Sequence, residues 1–376
     1  MKLLVDARPI VDPHMGGVSR VARALIFAYA ETFPQDELIC VTTGWRRPIL
    51  PDALRLRPNV THRHYRIPNK LWSIFAWLSS CVHCSLLTAH LSCDAIFLPN
   101  LGFIGALPQH IPTVLLLHDL SFLIEPRWFT WQQRLWHRAV RAQNLIRSAT
   151  RLLAVSETTK QDAVRLFGIP TDRIAVIPIG PTLSAMLGVH EVFKTNGHYV
   201  LALGANDPRK NVATAIESVR ELRMNEEFRD VTLTIVGASK RHDRMSLPEW
   251  IRTVTRPSDR ELVKLYANAA AFLYPSWYEG YGLPLHEAAM FGTPCIASTS
   301  GALPETAPSG TLFANPAKPH EWVEALRMAL TQPPRPPLLT NDSAWKEAAT
   351  ILREQTIDGP ATLLNYHSYA GCRHRL

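Results

Sequence analysis

The sequence predicts an α/β protein of two doubly wound parallel sheets that face each other across a central cleft. Three observations carry this. Short β-branched runs alternate with longer stretches whose apolar residues recur at helical spacing. The strand candidates are apolar throughout, as strands covered by helices on both faces must be. The series also runs through twice, and 376 residues exceed one ordinary core but suit two domains.

In the first half the strand candidates are Lys2–Asp6, Leu38–Thr42, Ala95–Pro99, Thr113–His118, Leu152–Val155 and Ile174–Ile177. Helical patterns such as Ser19–Glu31 and Trp128–Ile146 separate them. The series restarts with Tyr199–Leu203 and continues through Thr232–Val236, Ile251–Val254, Ala271–Tyr274 and Cys295–Ala297. Between the halves the chain reads GPTLSAMLGVHEVFKTNG, with glycine at both ends and little periodicity. The expected organisation is therefore a first domain over 1–180, a linker over 181–197 and a second domain over 198–355. Gln332–Leu338 reads as a proline-rich connector before the last helices. The tail 356–376 either crosses back to the first domain or hangs free.

The N-terminus MKLLVDARP reads as a strand, with an acidic residue and no small-residue cleavage site. That argues against a signal peptide and for the cytoplasm. The six cysteines are too unevenly spread for a disulfide framework. Cys81, His83, Cys84, His90 and Cys93 cluster, but their segment, LWSIFAWLSSCVHCSLLTAHL, is apolar and aromatic, so a packed helix accounts for them without a metal. Leu71–Leu91 carries no formal charge and reaches membrane-spanning length. Its serines and histidines dilute it, and strand patterns on both sides must share one sheet. A surface or membrane-contacting helix is the better reading. A net charge of +8 favours anionic partners: nucleic acid, a phosphate-bearing substrate or an anionic membrane surface. No nucleic-acid module is present, which leaves the other two.

Open α/β sheets bind ligands at the carboxyl ends of their strands. After the first strand come Gly16 and Gly17, which let a backbone approach a ligand and offer amides to an anion, or make a plain turn. The glycine fingerprint of nicotinamide-dependent dehydrogenases is absent. After Tyr199–Leu203 the chain reads GANDPRKN, and Arg209 with Lys210 at a helix start suits a diphosphate or is simply solvated. After Ala271–Tyr274 comes the sharpest pattern, EGYGLPLHE from Glu279 to Glu287. Gly280 and Gly282 allow a tight loop and Pro284 fits a first helical turn. Glu287 could then accept ribose hydroxyls and Glu279 could meet a sugar, with Gly282, Leu283 and Leu285 at a helix start whose amides face phosphates. The bland alternative is a capping arrangement. His118, beside Asp119 at a strand end, is either a site residue or a capping histidine.

The segments ALGANDPRKNVATAI, YPSWYEGYGLPLHEAAMFGTPCIAS and SGALPET resemble the donor-binding half of group 1 glycosyltransferases, family four, of GT-B fold. VLLLHDLSFLIEPRWF and LLAVSETTKQDAVRLFGIPTDRIAVIPIG resemble the second half of their N-terminal domain. The match runs from Met1 to about Glu354 and is weakest between Arg46 and Ser92. The two glutamates with seven residues between them are its specific signature.

The resemblance implies that Lys210 binds the donor diphosphate and that Arg209 replaces an arginine absent at Ala205. It places Glu287 on the ribose, Glu279 and His118 at the donor sugar, the loop Gly301 to Leu303 near that sugar, and Gly16 and Gly17 against the phosphates. It implies retention of anomeric configuration by front-face transfer, with Glu279 orienting the sugar. The relatives it points to build lipopolysaccharide, O-antigen or exopolysaccharide. A hexose would pass from a nucleotide diphosphate sugar, GDP-mannose being favoured with UDP- and dTDP-sugars open, to a glycan or lipid-linked glycan at the inner face of the membrane. No two aspartates are separated by a single residue, so no metal and no cofactor beyond the nucleotide sugar is expected. A nucleotide-sugar epimerase of the same fold and a catalytically silent sugar-nucleotide-binding subunit are the rival readings.

Overall fold

The computed structural model describes residues 1–11, 16–82, 92–180, 182–183, 199–204, 206–237, 247–331 and 343–357. The first sheet comprises β1 (Lys2–Asp6), β2 (Glu37–Thr43), β3 (Val60–Tyr65), β4 (Ala95–Leu98), β5 (Thr113–Leu117), β6 (Arg151–Ala154) and β7 (Ile174–Val176), in the order β3-β2-β1-β4-β5-β6-β7. The second comprises β8 (Tyr199–Leu203), β9 (Thr232–Val236), β10 (Ile251–Val254), β11 (Ala271–Tyr274), β12 (Cys295–Ser298) and β13 (Leu312–Ala314), in the order β10-β9-β8-β11-β12-β13. Every pairing is parallel. This is the GT-B arrangement of two doubly wound sheets. Strand order reverses between β1 and β4 and again between β8 and β11, the positions where such sheets open a crevice for ligands.

Alternation along the central strands explains the layering. Leu3 and Val5 of β1 pack with Leu25 and Tyr29 of the helix Gly17–Thr32. Leu4 points to the opposite face, among Ile96, Leu98, Trp72 and Ile146. Two strands escape the apolar pattern. β3 reads VTHRHY and is only partly buried, which an edge strand tolerates because one side lacks a neighbour. β13 has three residues, too few for any period to register.

The helical pattern over Trp128–Ile146 resolves into two helices. Trp131–Ala139 starts at a capping box formed by Thr130 and Gln133. It is separated from Ala142–Ser148 by Arg141, at a φ of 53°. The helix Asn69–Val82 covers the first part of the uncharged segment, and residues 83–91 lie outside the described residues. No helix among those described is long and apolar enough to cross a membrane. Of the cysteine and histidine cluster only the Cys93 side chain is described, and no metal-holding group occurs among the described residues.

The last helix corrects the expected domain limits. Ser343–Ile357 presents Trp345, Ala348, Ala349 and Leu352 to the first domain's core, beside Leu3, Leu25 and Tyr29. Arg353 Nε donates to Asp36 Oδ2 at 2.8 Å, where Asp36 also accepts from the Met1 ammonium at 3.1 Å and the Tyr29 hydroxyl at 2.9 Å. Residues 343–355 therefore pack with the first domain and not the second. Periodicity shows that a helix has an apolar stripe, not which sheet it covers. Whatever follows Ile357 lies outside the described residues.

Candidate active site

The site is assembled where the strand orders reverse. Beyond β8, Gly204 has a φ of +95°, and a Cβ there would lie 2.3 Å from Lys210 Cγ. Glycine thus makes room for the lysine stem as the chain turns back through Pro208–Lys210. Lys210 Nζ donates to Glu279 Oε1 and to the Tyr274 hydroxyl, both at 2.6 Å. Tyr274 ends β11, so the ends of two adjacent strands bring the expected lysine and glutamate into contact.

Glu279 is 6% exposed. The loop after β12 clasps its backbone: a Cβ on Gly301 would stand 2.7 Å from both the nitrogen and the oxygen of Glu279, and Ala302 N donates to Glu279 O at 2.9 Å. Burial alone would push this carboxyl up, but Lys210 and Arg209 outweigh it and hold it below the ordinary carboxylate range. The Tyr274 hydroxyl is driven well above its usual value by burial and then by Glu279, so it stays protonated.

Arg209 reaches the other domain. Its Nη1 donates to Asp119 Oδ2 at 2.8 Å and its Nη2 to Asp207 Oδ2 at 3.2 Å. Burial disfavours its charge, yet Glu279, Asp119 and Asp207 together raise its proton affinity. Burial likewise works against ionisation of Asp119, and Arg209 with Ser121 reverses the balance. The two cations thus stand among three carboxylates, Asp119, Asp207 and Glu279, a local sum of 2 − 3 = −1. A phosphate binding there would compete with these carboxylates for Arg209 and Lys210, although Arg209 Nε has no hydrogen-bond partner among the described residues and is a donor still open to it.

His118 Nε2 lies 2.8 Å from the Pro99 carbonyl, which only accepts, so this nitrogen carries the proton. Burial pushes the imidazole pKa down, leaving a neutral ring whose Nδ1 is the acceptor. Gly280 fits directly against the same residue: a Cβ there would fall 1.9 Å from the His118 carbonyl oxygen. The loop is held on that side by further contacts between domains. The Tyr278 hydroxyl donates to Asp162 Oδ2 at 2.5 Å, and Thr159 Oγ1 donates to Gly280 O at 3.4 Å.

Glu287 lies in the first turns of the helix Leu283–Ala289 and is 2% exposed. It accepts from Arg20 Nη1 at 2.8 Å, Tyr266 OH at 3.0 Å and Thr182 Oγ1 at 3.2 Å. Arg20 comes from the first domain and also bonds Asp259. Burial raises the Glu287 carboxyl, with Arg20 the largest opposing influence, and the net shift is upward.

Gly16 precedes the helix Gly17–Thr32 in extended conformation, and a Cβ on Gly17 would meet Leu283 Cδ2 at 3.6 Å. Gly17 therefore abuts the start of the Leu283 helix, while a Cβ on Gly16 would meet nothing within 4 Å. Gly282, at a φ of +94°, opens that helix close under Leu303. Leu285 departs from expectation: its side chain is wholly buried in the second domain's core and its N–H donates to Gly282 O at 2.9 Å. Its amide is spent within the turn and does not face a phosphate. Ala205 lies outside the described residues. Arg20, Tyr266 and Asp207 were not singled out from sequence. Only Asp119 had a local signal, its place beside His118.

Two family models match in tandem. One, Glycosyltransferase Family 4, covers residues 15–183, and the other, Glycosyl transferases group 1, covers 190–350. The chain belongs to the group 1 glycosyltransferases. It is 30% identical over 251 residues to O-antigen chain mannosyltransferase B of Escherichia coli, covering 62% of each protein. It is 29% identical to MMP alpha-(1->4)-mannosyltransferase of Mycolicibacterium hassiacum, covering 61% of this chain and 58% of that protein. The matches thus span about three fifths of these relatives' length. Among solved structures, sucrose-phosphate synthase from Thermosynechococcus elongatus superposes with a TM-score of 0.62 at 17% identity, covering 95% of this chain and 94% of that one. At that identity the likeness speaks for the fold alone.

Proposed function

We propose that this group 1 glycosyltransferase moves a hexose from a nucleotide diphosphate sugar to a glycan or lipid-linked glycan, with retention of configuration and without a metal. The observation that carries the reading is the Lys210–Glu279 contact at the ends of β8 and β11, set opposite His118 and Asp119 of the first domain. Mannose is the favoured sugar and GDP the favoured carrier, because the relatives reported above are named as mannosyltransferases.

In this scheme Arg209 and Lys210 stabilise the charge that develops on the departing diphosphate, exchanging a carboxylate partner for a phosphate oxygen. Glu279, kept ionised by those same cations, accepts a hydrogen bond from a sugar hydroxyl and orients the ring. The neutral His118 offers Nδ1 as a second acceptor. Glu287 already accepts three hydrogen bonds, which leaves room on Oε2 for a ribose hydroxyl. The acceptor attacks on the face from which the diphosphate leaves, and a phosphate oxygen takes its proton. The chain works at the inner face of a membrane, where such acceptors are held.

A thermal-shift panel of GDP-, UDP-, dTDP- and ADP-sugars, with and without magnesium, tests the donor. GDP-mannose should stabilise the protein equally in both conditions. Stabilisation by a different base would replace the donor assigned here, and a requirement for magnesium would remove the metal-free mechanism. Proton NMR of the product formed from the responding donor then reads the anomeric outcome.

A further inference from the structure

The helix Asn69–Val82 turns a wrong side outward. Trp72, Ala76 and Ser79 are buried, while Leu71, Ile74, Phe75 and Leu78 are 47%, 53%, 48% and 47% exposed. Their i, i+3, i+4, i+7 spacing is that of an apolar stripe, the side an ordinary surface helix buries. The helix Trp131–Ala139 has no fully buried side chain and exposes Trp131, Leu135 and Trp136 at 66%, 57% and 41%. With Trp77, these make eight of the fifteen exposed large hydrophobic side chains found among the described residues. Scattered apolar residues need no explanation, but such clustering does.

Phe103 bridges the two helices. Trp72 Nε1 donates to the Phe103 carbonyl at 2.9 Å, and the Phe103 ring meets Trp136 edge-on at 6.2 Å. Their charge has one sign. From Arg63 to Val82 there is no acidic residue, while Arg63, Arg66 and Lys70 are exposed. On the other side Arg127, Arg134 and Arg138 are exposed, and the single acid between 125 and 141, Glu125, is already paired with Arg127.

We propose that these two helices form one surface that docks on an anionic lipid bilayer. Tryptophan and phenylalanine beside leucine and isoleucine, rimmed by an excess of arginine and lysine, match the headgroup boundary of such a bilayer, where apolar groups sink and cations stay with lipid phosphates. The docked face also adjoins the cleft. His137 of the second helix stacks on Phe122 at 4.3 Å, three residues beyond Asp119. A lipid-linked acceptor could then enter beside His118 and Asp119 while its lipid remains in the bilayer. The surface deepens the reading of the acceptor given above and rests on it only for that last step.

Flotation of the full chain with vesicles tests it. The chain should float with phosphatidylcholine vesicles containing phosphatidylglycerol, remain behind with phosphatidylcholine alone, and be released by high salt. The pairs Ile74→Ser with Leu78→Ser, Trp131→Ser with Leu135→Ser, and Arg134→Glu with Arg138→Glu should each lower partitioning by about tenfold or more. Each variant should keep the wild-type unfolding transition and the wild-type thermal shift with nucleotide sugar. No flotation, equal flotation on uncharged vesicles, or folded variants that float like wild type would overturn the proposal. So would a dimer in sedimentation that the serine variants dissociate, since a second copy would then be the occupant. Failure of flotation with the nucleotide response intact removes the docking surface and leaves the donor reading untouched.

Discussion

Arg20 and Glu287 meet at 2.8 Å across the two domains although 267 residues separate them in the chain. Arg20 is the strongest influence keeping the buried Glu287 ionised, and even so the carboxyl is pushed upward. Replacing Arg20 with Met should push it further. Donor binding that needs the carboxylate will then fail at a higher pH in Arg20→Met than in wild type as the solution is acidified. Arg20→Lys should lie between them. Nucleotide affinity measured against pH reads this directly, and superimposable curves would refute it.

Of the glycines described, Gly280 leaves the least room for a side chain, and it faces the other domain. Alanine there would drive a methyl into the His118 carbonyl, which is relieved by displacing either the loop that carries Glu279 or the strand end that carries His118 and Asp119. A misplacement of about 1 Å at a reacting centre costs on the order of a hundredfold. Gly280→Ala should lose turnover on that scale while each sheet keeps its own unfolding transition. Unchanged turnover would mean that the two faces do not act together.

Lys210 and Glu279 form a buried pair, so removing one partner should cost more than removing both. Lys210→Met is expected to destabilise the protein by ~3 kcal/mol, as stranded buried charges do. Adding Glu279→Gln should recover most of that loss without recovering activity. Urea unfolding of the two single variants and the double closes the cycle. Additive losses would show that the contact carries no coupling.

Asp36 anchors the last helix. Burial works against its ionisation, but Arg353, the N-terminal ammonium and Tyr29 overcome that and lower its pKa. A carboxyl lowered on folding stabilises the protein above the unfolded carboxylate range, and that contribution vanishes as pH falls through the folded value. Asp36→Asn should therefore cost ~2 kcal/mol at neutral pH, with the difference from wild type shrinking in acid. A gap that stays constant with pH would contradict this account.

Much of this was legible from the chain because the features are local. Parallel strands buried on both faces announce themselves as apolar runs, and Glu279, Lys210, Arg209 and His118 each follow one. Glycine marked where the backbone had to turn or pass close, and at Gly204, Gly280 and Gly301 the crowding confirms it. What escaped was pairing between distant segments. Nothing around Arg20 signals that its partner is a glutamate in the other domain. Nor does the stripe on Ser343–Ile357 name the sheet it will cover. The exposed face of Trp131–Ala139 was hidden for the same reason, because a pattern of apolar residues is silent about whether it points in or out. Leu71–Leu91 reads as a surface helix because its serines and histidines dilute it.

The return of the last helix to the first domain changes how the two domains can move. The polypeptide leaves the first domain after Gly180 and is back in it by Ser343, so the second domain is, in topology, an insert within the first. Two passages of chain join them instead of one. Any swing of one domain over the other is therefore tethered at two points. The same topology means that no single cut liberates the first domain intact.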